Sequence, residues 1–184
     1  ANFLWAKQMG GPWWERSTSI ALDVAGNVIT TGDFSTTSAG PADFDPGPGT
    51  FTFTSGTGGG NTDIFISKLT SAGSFVWAKQ IGGINGDFGN DLQIDNSNNI
   101  YVGGYFTGTT DFDPNAGVSN LVSFGFEDIY VLKLDNAGNF IWARNMGGNT
   151  VDYSKAIAVD ASGNVYSTGS YRGTADFDPG VGTY

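Results

Sequence analysis

The chain of 184 residues contains no histidine and no cysteine. Those two absences remove imidazole and thiolate chemistry: a Ser-His-Asp or Cys-His nucleophile, a His/Cys zinc site and a disulfide framework are all excluded. Glutamate is nearly missing too. Sixteen aspartates stand beside Glu15 and Glu127 alone, and Asp favours turns where Glu favours helices. Basic residues number eight against 18 acidic ones, a net charge of −10, so the basic stripe that a nucleic-acid partner needs is absent. No apolar run is long enough to span a membrane. What is plentiful is glycine (29 residues), phenylalanine (14) and tryptophan (5), among many Asn, Thr and Ser. A chain of this composition is all-β and turn-rich, with aromatic side chains supplying its core.

Self-similarity decides the architecture. Phe3-Leu-Trp-Ala-Lys-Gln-Met-Gly-Gly11 returns at Phe75–Gly83 and again at Phe140–Gly148. Trp5, Trp77 and Trp142 are 72 and then 65 residues apart, the difference falling around Ser35–Ser38 and Gly56–Asn61. Eighteen residues after each tryptophan stands an aspartate (Asp23, Asp95, Asp160) opening an Asp-x-x-Gly-Asn turn. In the second copy Asn98 replaces the glycine, and Asn is the residue that best tolerates the left-handed conformation otherwise reserved for Gly. Asp43-Phe-Asp-Pro46, Asp111-Phe-Asp-Pro114 and Asp176-Phe-Asp-Pro179 match one another, as do Asp63–Lys68 and Asp128–Lys133. Each repeat reads as four strands, a to d, exemplified by 19–24, 28–34, 63–69 and 75–81. The expected fold is therefore an all-β propeller of four-stranded antiparallel blades, divided into repeats at 1–74, 75–139 and 140–184. Eleven strands correspond to about 2.75 blades, and a ring needs four or more. The expectation is a partial propeller, part of a longer repeat protein.

The combination W-A-K-Q-x-G-G, D-x-x-G-N-V-Y-x-T-G, D-F-D-P-G and D-I-F-x-x-K-L resembles the SBBP-type β-propeller repeat across essentially the whole chain. That resemblance implies a secreted or bacterial cell-surface repeat protein, and it implies no common activity.

Strand order sends the a–b and c–d turns to one end and the b–c and d–a loops to the other. Every Asp-Phe-Asp-Pro falls at the second end, with Asp63, Asp128 and the residue ten positions after each tryptophan: Glu15, Asp87 and Asp152. The acidity is expected to gather on that rim. The pairs Asp43/Asp45, Asp111/Asp113 and Asp176/Asp178 could offer hard oxygen ligands to calcium, or could cap their own turns with Phe as a plug. Glu15, Asp87 and Asp152 read as a charged ring for a cation or basic partner, or as solvated loop residues. Trp5, Trp77 and Trp142 read as inter-blade core, with sugar platforms as the alternative. Trp13 and Trp14, in a d–a loop without counterpart in the other copies, are the candidates for a glycan or protein partner if nothing covers them. The Asp135 turn stands where sialidase-type propellers carry their Asp box, but its spacing to Gly and Trp is off by one at each step.

The leading expectation is a non-enzymatic scaffold or adhesion module, packed against other blades of its own chain or other copies, with a cell-surface protein or glycan as possible partner. A calcium-dependent or carbohydrate-binding module is the first alternative. A carboxylate-based hydrolase or lyase is the second, disfavoured because every repeat brings the same residues while catalysis at a propeller axis needs different ones.

Overall fold

The computed structural model describes residues 2–36, 40–56, 61–180 and 182. Parts of both length-variable loops, 37–39 and 57–60, lie outside the described residues. Thirteen strands and no helix occur among the described residues: β1 (Trp14–Leu22), β2 (Val28–Ser35), β3 (Ala42–Asp43), β4 (Thr52–Phe53), β5 (Thr62–Leu69), β6 (Phe75–Gly83), β7 (Asp87–Ile94), β8 (Ile100–Asp111), β9 (Asn120–Leu134), β10 (Phe140–Gly148), β11 (Tyr153–Val159), β12 (Val165–Ser170) and β13 (Ala175–Asp176).

Two antiparallel four-stranded units emerge, β1-β2-β5-β6 and β7-β8-β9-β10, followed by the β11–β12 hairpin. Register is the same in both. Val28 faces Leu69 and Phe34 faces Asp63 in the first unit; Ile100 faces Leu134 and Phe106 faces Asp128 in the second.

The turns are built by their aspartates. Asp23, Asp95, Asp135 and Asp160 each take the amides two and four residues ahead on Oδ1 and the Asn Nδ2 on Oδ2, at 2.8–3.0 Å. Asn98 has φ 62°, the left-handed conformation its place in the turn demands.

Strand β1 begins five residues before the expected Ser19. A one-residue bulge between Ser17 and Ser19 re-aims the chain and lets pairing continue to Trp14. The same bulge recurs between Gly89 and Asp91 and between Ser154 and Ala156. The extra residue reaches the next unit: Thr18 Oγ1 donates to the Gly89 carbonyl (2.6 Å), and Asn90 Nδ2 donates to the Ser154 carbonyl (2.6 Å). Asp91 adds a bridge, accepting from Ser19 Oγ (2.8 Å) on one side and the Ile157 amide (2.9 Å) on the other. The expected opening strand, Phe3–Met9, joins no ladder among the described residues. It is held instead by Trp5 Nε1, which donates to the Ser71 carbonyl (3.0 Å), and by Met9 against an aromatic cluster.

The main core lies between the units. Ile29, Ile64, Ile66 and Ile81 of the first pack on Leu92, Val102, Phe106, Tyr130 and Leu132 of the second. Phe34, Phe44 and Phe65 form a satellite cluster with Phe53. The repeat tryptophans are half-buried rather than inaccessible, with Trp77 against the main core and Trp142 edge-on to Tyr101.

Candidate functional site: the loop end and its carboxylates

Each Asp-Phe-Asp-Pro segment is a strap that pairs with the first glycine of the Gly-Gly that closes the Trp-Ala motif before it. Asp43 exchanges both backbone hydrogen bonds with Gly10 (2.7 and 3.0 Å), Asp111 pairs with Gly82, and Asp176 pairs with Gly147. Asp43 Oδ1 then accepts the Asp45 and Phe51 amides (3.0 and 2.8 Å), and Asp111 Oδ1 accepts the Asp113 and Ser119 amides (3.0 and 2.8 Å). Asp176 Oδ1 takes the Asp178 amide (3.0 Å). The second aspartates do likewise: Asp45, Asp113 and Asp178 accept the amides of Gly47, Asn115 and Gly180 at 2.7–2.9 Å. Of the two readings of these pairs, the geometry is that of the capped turn. Among the described residues, no three acidic side chains converge as a metal-ligand set. Phe44 and Phe112 plug the straps into the core, while Phe177 remains 40% exposed against Tyr171.

The ring of Glu15, Asp87 and Asp152 departs from expectation. Asp87 and Asp152 are fully buried, neither solvated loop residues nor groups open to a ligand. The reason is the Gly-Gly that closes each Trp-Ala motif. The second glycine's amide donates to Glu15 Oε1 (2.9 Å), Asp87 Oδ2 (2.7 Å) and Asp152 Oδ2 (2.8 Å) in turn. Asp87 Oδ1 also accepts from Thr110 Oγ1 (2.7 Å), and Asp152 Oδ1 from the Arg172 amide (3.1 Å). A Cβ on Gly82 or Gly147 would overlap the carboxylate of Asp63 or Asp128, so only glycine lets these acids in.

Asp63 and Asp128 are buried as well, each with its Oδ1 unpartnered among the described residues. Gln80 Nε2 donates to Asp63 Oδ2 (2.6 Å), and the Phe124 amide donates to Asp128 Oδ2 (2.9 Å). Burial drives both up to about 6 and Asp87 to about 7, with Asp63 adding repulsion at Asp87 and Asp152 at Asp128. Asp33 is also raised by burial, against the pull of Arg16 at 2.8 Å. At the opposite end the turn aspartates go the other way. Burial pulls Asp23 upward, but Lys68 and Asn27 outweigh it and hold the group at about 2.

Two features stay open to solvent. Trp13 and Trp14 are 62% and 43% exposed; Trp14 lies in β1 rather than in a loop, with the Arg16 guanidinium 5.4 Å from its ring centre. A groove of about 410 Å³ runs beside the second strap, lined by Phe51, Phe53, Lys79, Asp111 and Asp113, and the Lys79 ammonium donates to Asn115 Oδ1 (2.6 Å). Composition gave no sign of a third. In β9, Phe124 and Phe126 project outward on a bulge between the pairs Thr107–Glu127 and Thr109–Val122. The local Ser-Phe-Gly-Phe-Glu run was the only signal available for it.

The family model for the SBBP β-propeller repeat matches residues 76–113, a stretch running from strand β6 through the second strap. The chain is 30% identical over 121 residues to the uncharacterized WD repeat-containing protein L264 of Acanthamoeba polyphaga mimivirus, covering 58% of this chain and 9% of that protein. It is 27% identical over 124 residues to the regulatory protein FlaEY of Caulobacter vibrioides, covering 67% of this chain and 13% of that protein. The chain thus spans about a tenth of the length of the curated relatives it matches.

Proposed function

We propose that the four-stranded units are blades of a β-propeller, two complete and a third represented by β11 and β12, and that the chain is a non-enzymatic scaffold or adhesion module of a secreted or cell-surface protein. One observation carries the reading. The carboxylates of the Asp-Phe-Asp pairs and of Asp87 and Asp152 are spent on backbone amides, capping turns and binding the Gly-Gly amides, so their recurrence is accounted for by architecture. Catalysis would call for carboxylates that differ between repeats and stand open to substrate. The test is a panel of chromogenic glycosides, uronides and esters incubated with the purified chain, for which no turnover is expected. Turnover that disappears on Asp111→Asn while the thermal melt is retained would overturn it. Surface labelling of intact source cells with an antibody to the chain tests the location.

A carbohydrate-binding role is the second reading, favoured by the open groove that sets Phe51 and Phe53 beside Lys79, Asp111 and Asp113, and by the exposed Trp13–Trp14 pair. A glycan array read with the chain and with its Phe51→Ala and Trp13→Ala variants decides it.

A further inference from the structure

We propose that the patch formed by Trp14, Arg16 and Tyr105, where the first four-stranded unit meets the second, binds the carboxylate-bearing ring of a uronic-acid saccharide. The proposal rests on the carbohydrate reading above and adds to it the place and the charge of the sugar.

Residues that architecture requires recur in every repeat; those that a ligand requires need not. One cross-strand pair, two positions before the bulged residue, changes its chemistry each time: Arg16–Asp33, Phe88–Tyr105 and Tyr153–Ser170. Asp33 shares a face of β2 with Thr31, and a Cβ on Gly89 of β7 would stand 2.9 Å from Thr31 Oγ1. The Arg16–Asp33 pair therefore belongs to the joint between two units that are both present in full.

Asp33 is fully buried and fixes the guanidinium: Arg16 Nε and Nη2 both donate to its Oδ1 (3.3 and 2.8 Å). The rest of the fork has no acceptor among the described residues, and the side chain is 47% exposed. A guanidinium presents its donors in one plane, matched to the two oxygens of a carboxylate. Trp14 lies two residues away on the same face of β1, its ring centre 5.4 Å from the guanidinium carbon. Its open indole suits the apolar side of a sugar ring. Tyr105 comes from the second unit, stacked on Phe88 with ring centres 4.7 Å apart. Its phenol lies within electrostatic reach of Arg16 and Asp33, and its hydroxyl has no hydrogen-bond partner among the described residues. Fork, indole and phenol answer the carboxylate, ring and hydroxyls of a hexuronate. A neutral sugar leaves the fork unanswered, and an acidic peptide has no flat hydroxylated ring to lie on Trp14.

The probes are oligogalacturonate and hyaluronan oligomers, each beside its methyl ester, which keeps the rings and hydroxyls and removes the charge. Titration calorimetry with the 184-residue chain is expected to show saturable binding of at least one acid oligomer. Its ester should bind about five- to tenfold more weakly, the range of one charge-assisted contact. Trp14→Ala is expected to weaken the acid oligomer about two- to tenfold. Arg16→Gln combined with Asp33→Asn strands no charge in the joint and should bind acid and ester alike. If that double variant does not melt cooperatively, Arg16→Lys, which keeps the charge and loses the fork, should weaken the acid oligomer instead. Equal affinity for acid and ester, or a preference for the acid that survives the double variant, overturns the proposal. So does displacement of the oligomer by polyaspartate at matched charge. Binding of neutral glycans alone overturns it and leaves the carbohydrate reading standing, whereas binding of no glycan overturns both.

Discussion

Replacing Asp87 by asparagine is expected to stabilise the protein at pH 7.5 and to leave it nearly unchanged at pH 4.5. In the folded chain burial lifts Asp87 from 3.8 to about 7; unfolded, it returns to the ordinary value. As pH rises from 4 to 7, the unfolded chain ionises and the folded chain resists. Stability is therefore complete below about pH 4 and is lost progressively until the folded carboxyl itself titrates. The difference between the two values corresponds to about 4 kcal/mol at 1.36 kcal/mol per pH unit, an upper bound for this site. Asparagine has no such penalty, and its geometry suits the position: Oδ1 accepts the Gly83 amide, while Nδ2 donates to a rotated Thr110 hydroxyl. Asp63 and Asp128 shift in the same direction, so the parent chain itself should melt higher near pH 4.5 than at pH 7.5. Below pH 4 the trend reverses. There the turn aspartates with lowered pKa values, Asp23 foremost, begin to protonate and their stabilisation fades. Thermal melts of parent and variant by circular dichroism from pH 3 to 8 make the measurement. A variant destabilised equally at pH 4.5 and 7.5, or a parent chain most stable at pH 7.5, would refute the reasoning.

Other substitutions probe the repeats against each other. Phe44→Ala is expected to cost about 3–5 kcal/mol and Phe177→Ala under about 1 kcal/mol, since the first ring is buried among Phe34, Phe53 and Phe65 and the second is partly exposed; urea melts compare them. Lys68→Ala should cost about 3–5 kcal/mol, because it strands the buried Asp23 carboxylate. Lys133→Ala, at a looser and wetter pair, should cost about 1 kcal/mol or less. Calcium or a chelator should leave the melting temperature unchanged, because the strap aspartates already hold loop amides; a rise with saturable calcium dependence would restore the metal reading.

Much of the architecture is legible in the residues because the controlling interactions are local. An Asp-x-x-Gly-Asn run contains every donor and acceptor of its own turn, and Asn98 declares the backbone conformation it adopts. The burial of Asp87 and Asp152 is not legible. It depends on the amides of Gly83 and Gly148 and on partners beyond the next strand, Thr110 and the Arg172 amide, all assembled only when the strands pack. An acidic residue in a connecting stretch reads as solvated until its partners are seen. The place of Trp14 in a strand is hidden for a related reason: the bulge at Thr18 shifts the side-chain alternation and conceals the start of β1. Whether Trp13 and Trp14 are covered is decided by packing rather than by their own residues, and in the folded chain both stand exposed.

The latch made by the bulged residue bears on how such repeats can diverge. Thr18 and Asn90 differ in size and chemistry, yet both end on a main-chain carbonyl of the following unit. A carbonyl is supplied by every amino acid, so the bond itself asks no particular side chain of the receiving position. The bond asks a particular chemistry of the donor alone, and any side chain with a reachable hydrogen satisfies it; what restricts Gly89 is packing, since a Cβ there would stand 2.9 Å from Thr31 Oγ1. Neighbouring copies can thus drift independently, exchanging the residues that face solvent without renegotiating the joint between them. A gene that duplicates this segment inherits a connector already tolerant of unlike neighbours.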